Sequence, residues 1–202
     1  MQSGLYVFGR LASPHMTVQT SRRTQPERTA ATRTQLLDAT LDSLVEVGYA
    51  RTTTQAVAGR AGRSRGAQLH HFPTKESLVV AAVQHLAAKR ECEIRAEHDR
   101  AHALELLADT FTGPLFLAAL ELWVAARTEP VLRRALVPLE RHLNEAVTAL
   151  TRDVLGVSAA NAELTLELLR GLGMAVLFNS PATAARRRRR LLARWQTLLE
   201  RP

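Results

Sequence analysis

Apolar residues recur along this chain at helical spacing, and no segment shows the alternation typical of a half-buried strand. The first stripe predicts a helix over about residues 27–47 and consists of Leu37, Leu41, Leu44 and Val45. After Pro73 every apolar run keeps the helical period. Those later runs predict helices over residues 74–100, 103–111, 114–127, 129–155, 159–178 and 181–200. The pattern therefore predicts an all-α chain.

Between these regions, residues 52–75 contain two short runs, 54–61 and 65–71, and the start of a third helix. Hydroxyl residues, which cap free N–H groups at helix starts, precede the three helices: Thr53, Ser64 and Thr74. Gly62 occupies the turn, where a left-handed conformation favours a residue without a Cβ. This is the layout of a helix-turn-helix, although a helical hairpin in an ordinary all-α core has the same local pattern.

The same stretch resembles the DNA-binding head of TetR-family transcriptional regulators. That family's pattern is roughly G-[YF]-x-x-T-T, then [IV]-A-x-x-A-G, then S-x-G-x-x-x-x-H-F-x-x-K-x-x-L. The matching positions are Gly48-Tyr49, Thr52-Thr53, Val57-Ala58, Ala61-Gly62, Ser64, Gly66, His71-Phe72, Lys75 and Leu78. The resemblance covers about residues 33–86. Arg63, Gln68 and Leu69 depart from the residues that are usual in the family.

The resemblance implies a three-helix head followed by a larger helical domain, about nine helices in all. We expect an arm over residues 1–26, a helix-turn-helix DNA-binding domain over 27–73, and a ligand-binding and dimerisation domain over 74–202. His15-Met16 is what a common cloning site encodes, so residues 1–15 are either a vector remnant or part of a natural disordered arm. Arg22, Arg23 and Arg28 are candidates for phosphate or minor-groove contacts.

The basic excess is concentrated in the predicted head. Residues 1–75 hold 10 Lys and Arg against 4 Asp and Glu, a net charge of +6, whereas residues 76–202 hold 17 against 15, a net charge of +2. A polyanion such as DNA attracts a basic head. The single cysteine, Cys92, excludes an internal disulfide and fits a reducing cytoplasm. No apolar run reaches the length of a membrane span, so a cytoplasmic protein without a membrane partner is expected.

If residues 65–71 form the recognition helix, specific side chains can reach the DNA. The candidates for base edges are Arg63, Arg65, Gln68 and His70, since Arg pairs with guanine and Gln with adenine. Ser64, the cap of this helix, and His71, at its end, are further DNA-binding candidates. The candidates for phosphate are Arg33, Thr53 and Lys75. A dimer with two heads about 34 Å apart would read a palindromic operator in double-stranded DNA.

Two apolar stripes on the last two predicted helices suggest the dimer surface. The candidates are Leu164, Leu168, Leu172, Leu191, Trp195 and Leu198. Two such hairpins can dock as a four-helix bundle. The alternative is that both stripes only cover their own domain.

The resemblance also implies a body cavity for a small-molecule effector whose binding lowers DNA affinity. The candidates in this sequence are His85, Phe111, Phe116, Leu120, Trp123, Met174 and Phe178. They are mostly apolar and aromatic, which favours an apolar or aromatic effector. Plain core packing is the alternative for each of them. Repression is the default expectation, because an occupied promoter blocks polymerase.

Enzyme chemistry has little support in the sequence. It contains no G-x-S-x-G, phosphate loop or H-E-x-x-H motif, and we expect no cofactor and no metal. His98 and His102 could share a metal but stand among charged neighbours. The run Arg186–Arg190 is expected to be a solvated collar that pairs with acids, with a second nucleic-acid patch as the alternative. Two other functions remain open: an architectural DNA-binding protein without an effector, and an all-α enzyme.

Overall fold

A computed structural model describes residues 24–199 of the chain, and within them it contains nine α-helices and no strand. They are α1 (Gln25–Arg51), α2 (Thr54–Arg60), α3 (Arg65–His71), α4 (Lys75–Arg95), α5 (Arg100–Thr112), α6 (Pro114–Ala126), α7 (Pro130–Leu155), α8 (Ala159–Phe178) and α9 (Pro181–Leu199). The all-α prediction is confirmed. Most of the predicted arm, with Arg22 and Arg23, lies outside the described residues.

The first and fourth helices differ most from their predicted spans, for local reasons. The first contains a non-helical residue, Gly48, at φ 75° and ψ 170°, so the helical hydrogen bonding carries past the predicted end while the axis breaks there. The fourth ends at Arg95 rather than near residue 100. Asp99 instead caps α5, because its side chain accepts a hydrogen bond from the His102 N–H at 2.9 Å.

The buried apolar residues form two separate clusters. The head core joins α1, α2 and the C-cap of α3 to the near parts of α4, α6 and α7. It includes Leu36, Leu37, Leu44, Val57, Phe72, Leu78, Val79, Ala82, Ala118, Leu122, Leu136 and Leu139. The distal core joins the far end of α4 to α5, α7, α8 and α9; it consists of Ile94, Ala103, Leu104, Leu107, Ala108, Leu150, Leu155, Leu169, Leu172 and Leu192. The predicted domain boundary at residues 73/74 runs through the head core.

Among the described residues, no single helix is both long enough and apolar enough to cross a membrane. The pair α5 and α6, bent by 42° at their junction, would meet both conditions together by length and composition alone. Both helices contribute buried side chains to the two cores, with Leu104 and Leu107 on α5 and Leu122 on α6.

Candidate DNA-binding face and effector cavity

Local capping fixes the two short helices of the head. The Thr53 hydroxyl accepts a hydrogen bond from the Ala56 N–H at 3.1 Å, and the Ser64 hydroxyl accepts one from the Ala67 N–H at 3.1 Å. Gly62 turns the chain between them at φ 62°. Thr74 and Ser77 form a reciprocal capping box at the start of α4. The capping residues and the turn that the sequence predicts are therefore confirmed.

The recognition-helix candidate α3 has a distinct outer face. Arg65 and Leu69 stand one turn apart, as do Gly66 and His70, and all four are exposed. Leu69 is an exposed large apolar residue at 43%. From the sequence, Leu69 was identified only as a departure from the residue that is usual in the family. Its exposure beside Arg65 could have been inferred from the i, i+4 spacing.

Gln68 is not on that face. Its side chain is 0% exposed, and its amide nitrogen donates to the Phe72 carbonyl oxygen at 2.6 Å. Its amide oxygen is buried without a hydrogen-bond partner among the described residues. The prediction that Gln68 contacts an adenine is therefore wrong, because its side chain is buried where α3 packs against α1 and α2.

The segment that contains α2 and α3 carries basic residues and no acidic ones. Residues 47–75 contain four Arg, one Lys and no Asp or Glu. Arg60 pairs with Glu46, which lies outside that range, and the Arg63 Nε donates to the Gln35 amide oxygen at 2.8 Å. The Arg33 guanidinium lies 5.4 Å from the centre of the Phe72 ring. Arg65, by contrast, has no side-chain hydrogen bond or ion pair to any residue in the described range 24–199.

His71 is half-buried at the end of α3 and lies beside two basic groups. Burial lowers the pKa of its imidazole below 6.5, and the charges of His70 and Arg33 lower this pKa further. The imidazole is therefore neutral at pH 7. His70 is exposed, and the centres of the two imidazole rings are 5.5 Å apart.

Lys75 lies inside a junction between head and body. Its ammonium donates to the Tyr49 carbonyl oxygen at 2.6 Å and lies 3.7 Å from the centre of the Tyr49 ring. Burial lowers the pKa of Lys75. This bond uses one of the three N–H donors of the ammonium, and Lys75 is half-buried, so its phosphate contact stays a prediction.

The other contacts of this junction are hydrogen bonds made by Tyr49. Its hydroxyl donates to the Glu76 carboxylate at 3.3 Å, and burial, together with the Glu76 charge, raises the pKa of Tyr49 to about 12. The Tyr49 N–H donates to the Glu121 carboxylate of α6 at 3.3 Å. A Cβ added at Gly48 would lie 2.6 Å from the same carboxylate. The break in α1 therefore rests directly on α6.

A cavity of about 720 Å³, part of it open to solvent, lies between α4, α5, α6, α7 and α8. Three of the seven predicted residues line it: Phe111, Phe116 and Trp123. Adjacent rings in this set are 6.3 Å and 6.1 Å apart between centroids. Walls that are mainly apolar with a few polar groups are typical of small-molecule sites.

The other four predicted cavity residues lie elsewhere. His85 faces α1, where its Nε2 is 3.6 Å from the Asp38 carboxylate. Leu120 of α6 is not among the residues that line the cavity. Met174 and Phe178 are exposed on α8, Phe178 at 80%. These assignments are wrong because the sequence gives the apolar character of a helix position but not which neighbour it faces.

The cavity also has polar lining residues that sequence reasoning missed. They are Thr110, Glu140, Asn144 and Arg170. Glu140 follows Leu136 and precedes Leu143 on α7, at the 4 and 3 spacing of one helix face. That spacing was the available signal, since a carboxylate within an apolar stripe is costly to bury.

The predicted dimer residues divide into exposed and internal positions. Leu164 and Leu198 are exposed, and Leu168, Leu191 and Trp195 are half-buried. Leu172 is buried in the distal core, which makes it unavailable to a partner and contradicts its assignment. The Trp195 indole donates to the Thr165 hydroxyl at 2.9 Å within the same chain.

The five arginines of the run on α9 differ in their exposure and contacts. Arg188 donates to the Asp109 carboxylate at 2.5 Å and to the Glu105 carboxylate at 2.5 Å, whereas its four neighbours in the run are exposed. His102 lies 3.0 Å from the Glu97 carboxylate rather than sharing a site with His98. Among the residues that the structure describes, no three His, Cys, Asp or Glu side chains come together as a metal site.

Comparisons with known proteins agree with this architecture. Residues 36–82 match the family model described as bacterial regulatory proteins, tetR family. The HTH-type transcriptional regulator CymR of Pseudomonas putida is 39% identical over 123 residues, which cover 57% of this chain and 61% of CymR. The chain thus matches about three fifths of the length of that relative.

Solved structures extend the similarity over most of the chain. A TetR transcription regulator from Haloarcula marismortui superposes with a TM-score of 0.68 at 21% identity, over 84% of this chain and 98% of that one. The multidrug binding protein EbrR, complexed with ethidium, gives a TM-score of 0.58 at 23% identity over 81% and 98%. The head of this chain thus matches the family model of tetR bacterial regulatory proteins, and its helical fold is that of solved TetR regulators.

Proposed function

We propose that this chain is a transcriptional repressor that binds a palindromic operator as a homodimer and is released by a small apolar or aromatic effector. The outer face of α3 is the observation that carries the proposal. It presents an unpaired Arg65 next to exposed Leu69 and His70, within a stretch that has no acidic residue. A side-chain set of this kind fits the edges of base pairs in the major groove.

Each exposed residue of α3 has a role in this proposal. Arg65 reads a guanine through a bidentate contact, and Leu69 packs on a thymine methyl group. His70 supplies a hydrogen bond to a base edge or a phosphate. The hydroxyls of Thr53 and Ser64 accept bonds from their own helices and still have a proton to donate to phosphate. Arg33 and Arg63 are exposed or half-buried at the margin of the same face and add phosphate contacts.

Dimerisation uses the outer stripe of α8. Leu164, Leu168, Gly171, Ala175 and Phe178 follow one another at alternating spacings of four and three. Leu164, Gly171 and Phe178 are exposed, and the Cβ position of Gly171 has nothing within 4 Å. Leu198 of α9 adds exposed apolar area. A stripe of this spacing can pack against its own copy in a second chain. Residues 74–202 would then supply the dimer contact as well as the ligand cavity.

Release couples the cavity to the head through α6. Phe116, Leu122 and Trp123 of this helix line the cavity, while Glu121 accepts the Tyr49 N–H at the break in α1. A ligand that repositions α6 therefore changes the placement of the head. The ligand releases the DNA only if it binds the DNA-bound conformation of the protein less tightly than the free conformation. The ethidium complex of EbrR is a precedent for an aromatic ligand in this fold.

The test is selection of bound duplexes from a random library by the full-length protein at moderate salt, followed by sequencing. We expect an enriched palindrome with half-sites about one helical turn apart. Bound DNA without enrichment would instead support an architectural DNA-binding protein. Failure to retain any DNA would overturn the proposal and favour an all-α enzyme.

Two variants separate base contacts from core packing. Arg65→Ala is expected to weaken operator binding by about 1–3 kcal/mol and to relax one position of the selected sequence. Gln68→Met keeps the volume of a buried side chain and should leave the selected sequence unchanged. A changed base preference in Gln68→Met would contradict the placement of Gln68 in the core.

A further inference from the structure

One carboxylate interrupts the apolar lining of the cavity. Glu140 of α7 is half-buried and lines the cavity with the aromatic side chains of Phe111, Phe116 and Trp123. Burial raises the pKa of Glu140, whereas a hydrogen bond from Trp123 and the charge of Arg170 lower it in part. Glu140 makes no direct ion pair within residues 24–199. The cavity therefore contains a carboxylate without a matched positive charge.

Arg170 provides that charge only in part, because its guanidinium makes its hydrogen bonds to other groups. It donates to the Glu167 carboxylate and to the Asn144 side-chain oxygen. Arg170 also lines an open groove between α7 and α8, together with Glu163 and Glu167. Its charge is thus neutralised at the outer wall of the cavity.

The surroundings of Glu140 also favour a positive ligand group. The rings of Phe116 and Trp123 meet nearly edge to face, at 81° and 6.1 Å between centroids, and aromatic rings attract cations through their faces. Arg127 and Arg133 line a separate outer groove that Glu140 shares, but both are exposed to solvent, which screens their charges. A neutral ligand would leave the carboxylate desolvated without a partner, and an anion would face a like charge.

We propose that the cavity binds an organic cation, a quaternary or protonated amine on an apolar body of about phenyl size, with Glu140 as its counter-charge. This inference rests on the proposed function in taking the cavity as the effector site. It goes further in fixing the charge of the effector and the residue that recognises it. The apolar walls then hold the body of the ligand, while Glu140 and the aromatic rings hold its cationic group.

Three compounds of matched shape test the charge preference. Phenyltrimethylammonium, tert-butylbenzene and benzenesulfonate each have a phenyl ring with a tetrahedral substituent, and the charges are +1, 0 and −1. Titration calorimetry of the full-length wild-type protein should show the ammonium compound binding about tenfold or more tightly than the neutral one, with the sulfonate weakest. Equal affinities, a preference for the sulfonate, or no binding of any of the three would overturn the inference.

A pair of variants on one helix assigns the preference to a residue. Glu140→Gln keeps the shape and removes the charge, so the ammonium and neutral compounds should then bind alike. Glu145→Gln removes an exposed carboxylate of α7 that lies in the open groove between α7 and α8, and it should keep the wild-type preference. An unchanged preference in Glu140→Gln would also overturn the inference. If Glu140→Gln does not fold, as judged by its circular dichroism, the wild-type series decides alone.

DNA selection on the same wild-type preparation keeps the two proposals distinguishable. A protein that selects a palindrome but binds none of the compounds contradicts the cation inference and leaves the DNA-binding proposal standing. A protein that binds the ammonium compound but no DNA contradicts the regulator and supports the cation site.

Discussion

The head core and the distal core are both built mainly from leucine and alanine, but they join different kinds of helix. The head core ties two seven-residue helices, too short to be stable alone, to α1, α4, α6 and α7. The distal core packs longer helices against one another and leaves the outer stripe of α8 exposed. The cavity lies between the two, with Leu122 and Leu136 from the head core and Phe111 from the margin of the distal core. A ligand there is placed to change how the DNA-reading end sits relative to the dimerising end.

The largest expected effect comes from removing one buried leucine from each core. Leu44 of α1 and Leu169 of α8 are both fully buried, so Leu44→Ala and Leu169→Ala should each lower the free energy of unfolding by about 2–5 kcal/mol. Hydrogen exchange should distinguish them. Leu44→Ala should speed exchange in α2 and α3, and Leu169→Ala should speed it in α8 and α9. The same exchange pattern in both variants would mean that the two cores are one cooperative unit.

A smaller effect is expected at the contact between α1 and α6. Gly48 has a backbone conformation that essentially only glycine adopts, and a Cβ there would press on Glu121. Gly48→Ala should therefore destabilise the protein by about 1–3 kcal/mol in chemical denaturation. Gly59→Ala is the matched control, because its Cβ meets nothing within 4 Å inside α2. It should stabilise by about 0.5–1 kcal/mol, and destabilisation there would argue against the assigned helix.

The smallest expected effect is a pH dependence confined to the head. Because the folded-state pKa of His71 lies below its ordinary value of 6.5, the unfolded chain binds more protons than the folded chain in mildly acidic solution. The contribution of His71 to stability is present above pH 6.5 and decreases as pH falls through that value and the lower folded pKa. Denaturation midpoints at pH 7.5 and pH 5.5 should differ less in His71→Gln than in the wild type. An identical pH dependence would show that His71 is not the responsible group.

The head could be predicted closely because its signals are local. Thr53, Ser64 and Thr74 each act within three residues of their own position, and Gly62 sets the turn by its own dihedral angle. The span of α3 follows from such signals. Gln68 and Lys75 could not be assigned in this way, since burial of the one and the bond of the other to Tyr49 depend on distant segments.

The cavity was predicted less well, for the complementary reason. Phe111, Phe116 and Trp123 were identified from their chemistry, but Phe178 shares that chemistry and is exposed. Glu140 and Arg170 line the cavity because α7 packs against α6 and α8 packs against α7, and the sequence does not show this packing. An apolar stripe shows that a helix has a buried face without showing which helices cover it.

The sequence by itself determined that this chain is helical, where its short head helices begin, and that its basic charge is concentrated near them. Those properties depend on hydrogen bonds and spacings within a few residues. Only the tertiary structure decided that Gln68 is buried and that Glu140 lines a cavity with aromatic walls. It also decided that Lys75 and Glu121 form hydrogen bonds with the backbone of Tyr49. These outcomes depend on which helix faces pack together, and that choice is made by the whole core at once.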